Sequence, residues 1–247
     1  MKRYAAIFFD LYGTLVDIHT DESKPILWSK AAAFYTDHGA KYSGPELRAA
    51  YQAHCTGEER RLTEAAPPGA LVELELRRVF AALYEQKGAA ASESLIADTA
   101  WLFRRVSTSH LRTYAGAREL LTALRKQGRE VVLLSNAQAC FTGPELDLLK
   151  LTDCFDRIFI SSDVGYRKPD PRFFLAALQA VGADPADCLM FGNDPACDLH
   201  GAAGVGMDAF YIHSALSPQP MPNEASLPAI GSLPKMDLRA LCRMLLS

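Results

Sequence analysis

Apolar residues gather in short unbroken runs at Tyr4–Phe9, Glu130–Leu134, Arg157–Ile160, Cys188–Phe191 and Ala209–Ile212. Runs without polar alternation suit strands buried on both faces of a parallel sheet. Helical patterns lie between them. Asp170-Pro171 supplies an N-cap followed by proline at the first helical position, and Gly182 stops that helix. Asp194-Pro195 repeats the opening, and the pattern from Gly116 to Gln127 stops at Gly128. Strands alternating with helices predict right-handed βαβ units, hence an α/β fold with a doubly wound parallel sheet.

The stretch from Ile18 to Arg112 breaks that alternation and reads as helices throughout. Pro25 to His38 ends at Gly39, and Ser43-Gly-Pro-Glu46 is a capping-box pattern that opens the next helix. Leu71 to Lys87 ends at Gly88, and Ser92 to about His110 follows. The expectation is a core domain of residues 1–17 and 113–247 interrupted by a helical insert of residues 18–112. The insert cannot be a separate leading domain, because the Tyr4–Phe9 strand precedes it and needs the later strands as partners. Ser214 to Pro234, rich in Pro and Ser, reads as a loop, and Met236 to Leu246 as a closing helix.

Composition narrows the function classes. Of 247 residues, 49% are hydrophobic and 22% charged, an ordinary globular balance with enough apolar material for a sizeable core. A net charge of -3 and no basic run predict neither a nucleic-acid partner nor an anionic membrane. The six cysteines (Cys55, Cys140, Cys154, Cys188, Cys197, Cys242) have no C-x-x-C or zinc-ligand spacing, which predicts reduced, mostly buried thiols. Asp10 cuts the first apolar stretch too early for a signal peptide or membrane span, and the protein is expected in the cytoplasm. Oligomeric state stays open.

Ligands of open parallel sheets sit beyond the carboxyl ends of the strands. Asp10, Ser135-Asn136, Lys168, and Asp194 with Asp198 all fall at such ends. A carboxylate such as Asp10 can attack phosphorus or carbon and form a covalent intermediate. Asp10, Asp194 and Asp198 offer hard oxygen ligands suited to Mg²⁺, while a lysine and a hydroxyl can hold phosphoryl oxygens. A phosphoryl transfer needs little beyond this positioning and neutralisation.

Phe9-Asp-Leu-Tyr-Gly-Thr-Leu-Val-Asp17 resembles the first motif of the haloacid dehalogenase superfamily. Leu134-Ser-Asn136 resembles its second, Arg167-Lys-Pro-Asp-Pro171 its third, and Gly192-Asn-Asp-Pro-Ala-Cys-Asp198 its acidic fourth, in the family's order. The resemblance implies a Rossmann-like core with a helical C1 cap. It implies Asp10 as nucleophile, the Tyr12 backbone carbonyl with Asp10, Asp194 and Asp198 as Mg²⁺ ligands, and Ser135 with Lys168 as the phosphate-holding pair. Asn136 joins the substrate-binding set. The expected substrate is a small phosphorylated metabolite.

Tyr12 departs from the family's phosphatases, which usually place Asp there as general acid/base. A tyrosine, with a pKa of about 10, is a poor base at neutral pH and reads better as a pocket wall. Tyrosine at this place also resembles the 2-haloacid dehalogenases, whose halide leaving group needs no proton. The acidic pair Asp194 and Asp198 favours the phosphatase. The alternatives are a metal-independent dehalogenase using Asp10 on carbon, and a non-catalytic phosphate- or metal-binding protein of the same fold.

Each site residue also has an ordinary reading: Asp10 as a strand-end turn, Ser135 as a helix cap, Asn136 as a turn support, Lys168 as a solvated loop lysine and Asp194 as an N-cap. The ordered set of motifs outweighs these one at a time.

Overall fold

The computed structural model describes residues 2–220, 223 and 226–246. From β1 (Ala6–Phe9) the chain turns tightly into β2 (Val16–Thr20). It then makes α1 (Pro25–Asp37), α2 (Gly44–Ala65), α3 (Leu76–Glu85), α4 (Glu93–Ser107) and β3 (Thr108–Thr113). Helices and strands then alternate through α5 (Ala117–Lys126), β4 (Glu130–Ser135), α6 (Ala139–Leu148), β5 (Arg157–Ile160), the single turn α7 (Ser161–Val164), α8 (Pro171–Val181) and β6 (Cys188–Gly192). A π-helical turn, Pro195–Leu199, runs into α9 (His200–Gly204), followed by β7 (Asp208–Ile212), β8 (Ser232–Leu233) and α10 (Leu238–Leu246).

Strands β5-β4-β1-β6-β7-β8 form one sheet, and every neighbouring pair in it is parallel. The apolar runs of β1, β4, β6 and β7 follow from its two covered faces, while β5 at the edge is partly exposed. Ile7, Phe9, Val131 and Leu133 point into one layer with Leu120, Leu124, Leu238 and Leu241 of α5 and α10. Ala6, Phe8, Val132 and Leu134 point into the other, with Phe173, Phe174, Leu199 and Ala202 of α8, the π-helical turn and α9. Each such phenylalanine contributes about 1.5–3 kcal/mol by leaving water.

Helices α1–α4 bury a core of their own around Trp28, Tyr35, Tyr51, Phe80 and Phe103, and Phe141 of α6 joins it from below. Its tyrosines reach partners: Tyr35 Oη donates to Phe80 O at 3.1 Å and Tyr42 Oη to Leu83 O at 2.7 Å. The capping box at Ser43 and Glu46 forms as expected, and Asp170 caps α8 through Arg172 N.

The structure corrects three readings. First, the supposedly all-helical stretch is bracketed by an antiparallel ribbon, β2 with β3, that pairs Val16 with Thr113 and Ile18 with Leu111. The helix expected to reach His110 ends at Ser107, where the Ser107 and Thr108 hydroxyls both donate to Arg104 O and turn the chain out. Second, residues 71–75 are not helical, because their backbone pairs with the core around Tyr166 instead. Leu71 is accordingly exposed, unlike Leu74, Val79 and Leu83. Third, the Ser214–Pro234 loop contributes the edge strand β8. All six cysteines are free thiols, but only Cys154 and Cys188 are buried, so the expectation that most of them would be is not met.

Candidate active site

The site lies at the carboxyl ends of β1, β4 and β6, where the apolar runs stop. Asp10 follows β1 directly and its amide donates to Phe191 O at 2.9 Å, tying it to the neighbouring strand. Lys168 is almost wholly buried. Its ammonium donates to Asp10 Oδ1 at 2.8 Å, Asp198 Oδ1 at 2.6 Å and Leu134 O at 2.8 Å. Asp198 Oδ2 accepts from Asp194 N at 3.0 Å. Gly192 is required here, since a Cβ on it would come within 2.2 Å of the Asp198 carboxylate.

Removing Lys168 from water disfavours its charged form, but the adjacent Asp10 and Asp198 outweigh that and hold its pKa above the ordinary lysine value. Burial pushes the Asp198 carboxyl up, Lys168 pulls it back and Asp10 pushes it up again, leaving it at about 7. One ammonium thus faces two carboxylates, a balance that favours an additional positive charge nearby.

Of the residues singled out from sequence, the structure brings Asp10, Lys168 and Asp198 into direct contact and sets Ser135 at the end of the adjoining strand. Ser135 Oγ is buried and has no hydrogen-bond partner among the described residues. An unpaired buried hydroxyl is costly, and one aligned with a bound oxyanion would be satisfied by it. The Asn136 amide bonds to the Lys168 backbone. Its Nδ2 donates to Lys168 O at 3.0 Å and its Oδ1 accepts from Lys168 N at 2.7 Å, clamping the lysine's backbone. Asp194 spends Oδ1 on the amides of Ala196 and Cys197 at 2.9 and 3.0 Å, as the N-cap of the π-helical turn. Among the described residues it does not gather with Asp10 and Asp198 into a three-acid cluster.

Asn193, which sequence reasoning passed over, occupies the inner position instead. Its Oδ1 accepts from Thr14 Oγ1 at 3.4 Å, and the same hydroxyl reaches Asp10 Oδ2 at 3.3 Å. Gly13, at φ +87°, lies so close that a Cβ would meet Asn193 Nδ2 at 2.3 Å. The available signal was position: Asn193 is the first residue past β6, as Asp10 is the first past β1.

Tyr12 points away from this centre. Its hydroxyl donates to Glu145 Oε2 and pairs with Thr142 Oγ1 at 3.1 Å. Arg104 of α4 closes the group, donating to Glu145 Oε1 at 2.6 Å and lying over the rings of Tyr12 and Phe141 at 5.7 and 5.1 Å. Burial, then the Glu145 charge, drives the Tyr12 pKa further above its ordinary value, so its phenol is no proton carrier at neutral pH. Tyr12, Arg104, Asn136, Gln138 and Phe141 help line a cavity of about 530 Å³ between the helical insert and the sheet.

Donor chemistry fits Mg²⁺: the Asp10 and Asp198 carboxylates and the Asn193 amide oxygen are hard oxygens beside one another at the ends of β1 and β6. With the Ser135 hydroxyl and the Lys168 ammonium, the arrangement can hold an oxyanion against a nucleophilic carboxylate.

Polar groups gathered at the carboxyl ends of a parallel sheet are consistent with a hydrolase of α/β architecture. A family model described as haloacid dehalogenase-like hydrolase matches residues 4–206, and the chain belongs to that family. Human N-acylneuraminate-9-phosphatase is 22% identical over 212 residues, covering 85% of this chain and 82% of the relative. The phosphoserine phosphatase of Thermus thermophilus is 32% identical over 143 residues, 58% of this chain and 56% of its own. The phosphoglycolate phosphatase of Pseudomonas putida is 35% identical over 132 residues, 52% and 45% of the two chains. Among solved structures, a HAD phosphatase from Thermococcus onnurineus superposes with TM-score 0.58 at 19% identity over 97% of both chains. An L-2-haloacid dehalogenase does so with TM-score 0.58 at 22% identity, over 98% of this chain and 99% of the other. These two likenesses speak for the fold.

Proposed function

We propose that the protein is a Mg²⁺-dependent phosphatase that hydrolyses a small phosphorylated metabolite through an aspartyl-phosphate on Asp10. The observation that carries this reading is the buried Asp10–Lys168–Asp198 chain with the unpartnered Ser135 hydroxyl beside it. The phosphatase names of the curated relatives support it.

The Lys168 ammonium and the Ser135 hydroxyl hold the phosphoryl oxygens. Asp10 attacks phosphorus, forming a P–O bond as the bond to the leaving oxygen breaks. Asp10, Asp198 and Asn193 would hold the Mg²⁺, with the Tyr12 carbonyl completing the family's ligand set and Asp194 supporting the loop as its cap. Bound there, the metal supplies positive charge against the phosphoryl group. Water then attacks phosphorus and the Asp10 carboxylate leaves. Tyr12, committed to Glu145, gives no proton to the departing oxygen, so esters of acidic alcohols and phenols turn over fastest. The helical insert acts as a cap over the cavity, and residues there sort the substrates.

The test is phosphate release from p-nitrophenyl phosphate with Mg²⁺ and then with excess chelator. Release that needs the metal and disappears in Asp10→Asn is the expected result. A second reading, dehalogenation, is favoured by Tyr12 and by an amide at Asn193 where a third acid would strengthen a metal site. Chelator-resistant chloride release from 2-chloropropionate, without phosphatase activity, would replace the first reading with this one.

A further inference from the structure

We infer that the segment Leu71–Leu76 of the helical insert is a latch that positions Lys168, with Glu73 as its central positioning residue. The inference rests on Lys168 acting in the site proposed above. Three loops close a ring of hydrogen bonds. On the first side the insert grips the Lys168 loop. Glu73 N donates to Gly165 O at 2.9 Å, Arg167 N to Leu71 O at 3.0 Å and Leu71 N to Asp170 Oδ2 at 2.8 Å. On the second, Asn136 clamps both backbone groups of Lys168 to the loop after β4. On the third, that same loop grips the insert through Gln138, whose Nε2 donates to Leu74 O at 2.9 Å while its Oε1 accepts from Leu76 N at 2.8 Å.

Glu73 sits where the sides meet. Its carboxylate accepts from Gln138 Nε2 and from Ser161 Oγ, each at 3.1 Å, and Ser161 Oγ in turn accepts from Ala137 N at 2.9 Å. Burial raises its pKa, against the donors that lower it. A carboxylate kept in such a place tightens every bond made to it.

Lysine is a flexible four-carbon stem, so the reach of its ammonium to Asp10, Asp198 and Leu134 O depends on where its backbone is held. Here both backbone groups of Lys168 belong to a ring with two of its three sides contributed by the insert. A shift of the insert over an arriving substrate therefore reaches the ammonium that touches Asp10. Glu73 is not among the residues lining the cavity, so it acts through this ring rather than by touching substrate.

The test uses the full chain and two readouts. Hydrogen exchange is followed in peptides covering residues 71–76 and 165–172, and kcat and KM are measured on p-nitrophenyl phosphate. Glu73→Ala removes charge-assisted bonds and should speed exchange in both segments about tenfold. It should lower kcat several-fold at nearly constant KM, with Glu73→Gln restoring most of both. Faster exchange confined to residues 71–76, with residues 165–172 and kcat unchanged, would overturn the inference. If the protein releases no phosphate, exchange alone decides: coupled loosening upholds the latch and uncoupled loosening removes it. Should Glu73→Ala not fold, Ser161→Ala, which deletes one donor to the same carboxylate, is judged by the same two segments.

Discussion

The molecule holds one buried charge cluster around Arg104 and another around Lys168, and they are built for opposite ends. Around Arg104, the Glu145 carboxylate receives bonds from the guanidinium and from Tyr12, so its charge is met from two sides. Around Lys168 the account is left open, with two carboxylates on one ammonium and an unpartnered hydroxyl next to them. A saturated cluster joins the insert to the core; an unsaturated one has bonding capacity to give a ligand. Burial of charge alone therefore does not mark the candidate site; an unpartnered hydroxyl beside an unbalanced buried charge cluster does.

Substitutions sharpen that contrast. The largest effect on turnover belongs to Asp10→Asn, expected to cost at least about 10³-fold in kcat, in line with removal of a covalent nucleophile. Its melting temperature should hold or rise, because one of two crowded carboxylates becomes neutral; a large drop in stability would place Asp10 in the structural cluster's category. Glu145→Ala should show the reverse pattern. It leaves the Arg104 guanidinium buried without its carboxylate and should cost about 3–5 kcal/mol in urea unfolding. Tyr12→Phe should be milder, losing about 1.5–3 kcal/mol through its bond to a charged partner. Its rate on p-nitrophenyl phosphate should stay within a factor of about three, well below the loss expected for a general acid. A hundredfold fall in Tyr12→Phe would return the phenol to the chemistry.

The smallest effect is on pH dependence. Burial raises the folded pKa of Glu73 above its unfolded value, so in the pH interval between the two the folded state binds the proton more readily than the unfolded chain does. Stability from this residue is present below the unfolded value and declines as pH climbs from there toward the folded one. Glu73→Gln should therefore raise the melting temperature more at pH 7.5 than at pH 4.5, which parallel melts would reveal.

The sheet was legible because a strand covered on both faces must be apolar at every position. Four of the five runs follow that rule, with Asp10 and Ser135 at the ends of two of them, whereas β5 at the sheet's edge leaves Arg157 and Ile158 exposed. β2 and β3 were not legible, since Asp17, His19, His110 and Arg112 put polar groups into a ribbon that is only partly covered. The Asp17–Arg112 pair at 2.6 Å that helps join the strands spans a separation that no local pattern records. Residues 71–75 carry helical periodicity, yet pairing with the Tyr166 region overrides it. Arg104 and Glu145 meet only in three dimensions. Asn193 was overshadowed by Asp194, an acid whose better-matched local use is as a cap.

The central place of β1 sets the order in which the molecule can assemble during synthesis. Ala6 pairs with Glu130 on one side and Cys188 on the other, so β1 waits for partners that lie far downstream. The four helices between have largely local contacts and an aromatic core of their own, and local contacts form fastest. A nascent chain would thus carry a condensed helical body beside an unpaired apolar strand until β4 arrives. That interval is when the protein is most open to misassociation, and when a chaperone would find Ile7, Phe8 and Phe9 within reach.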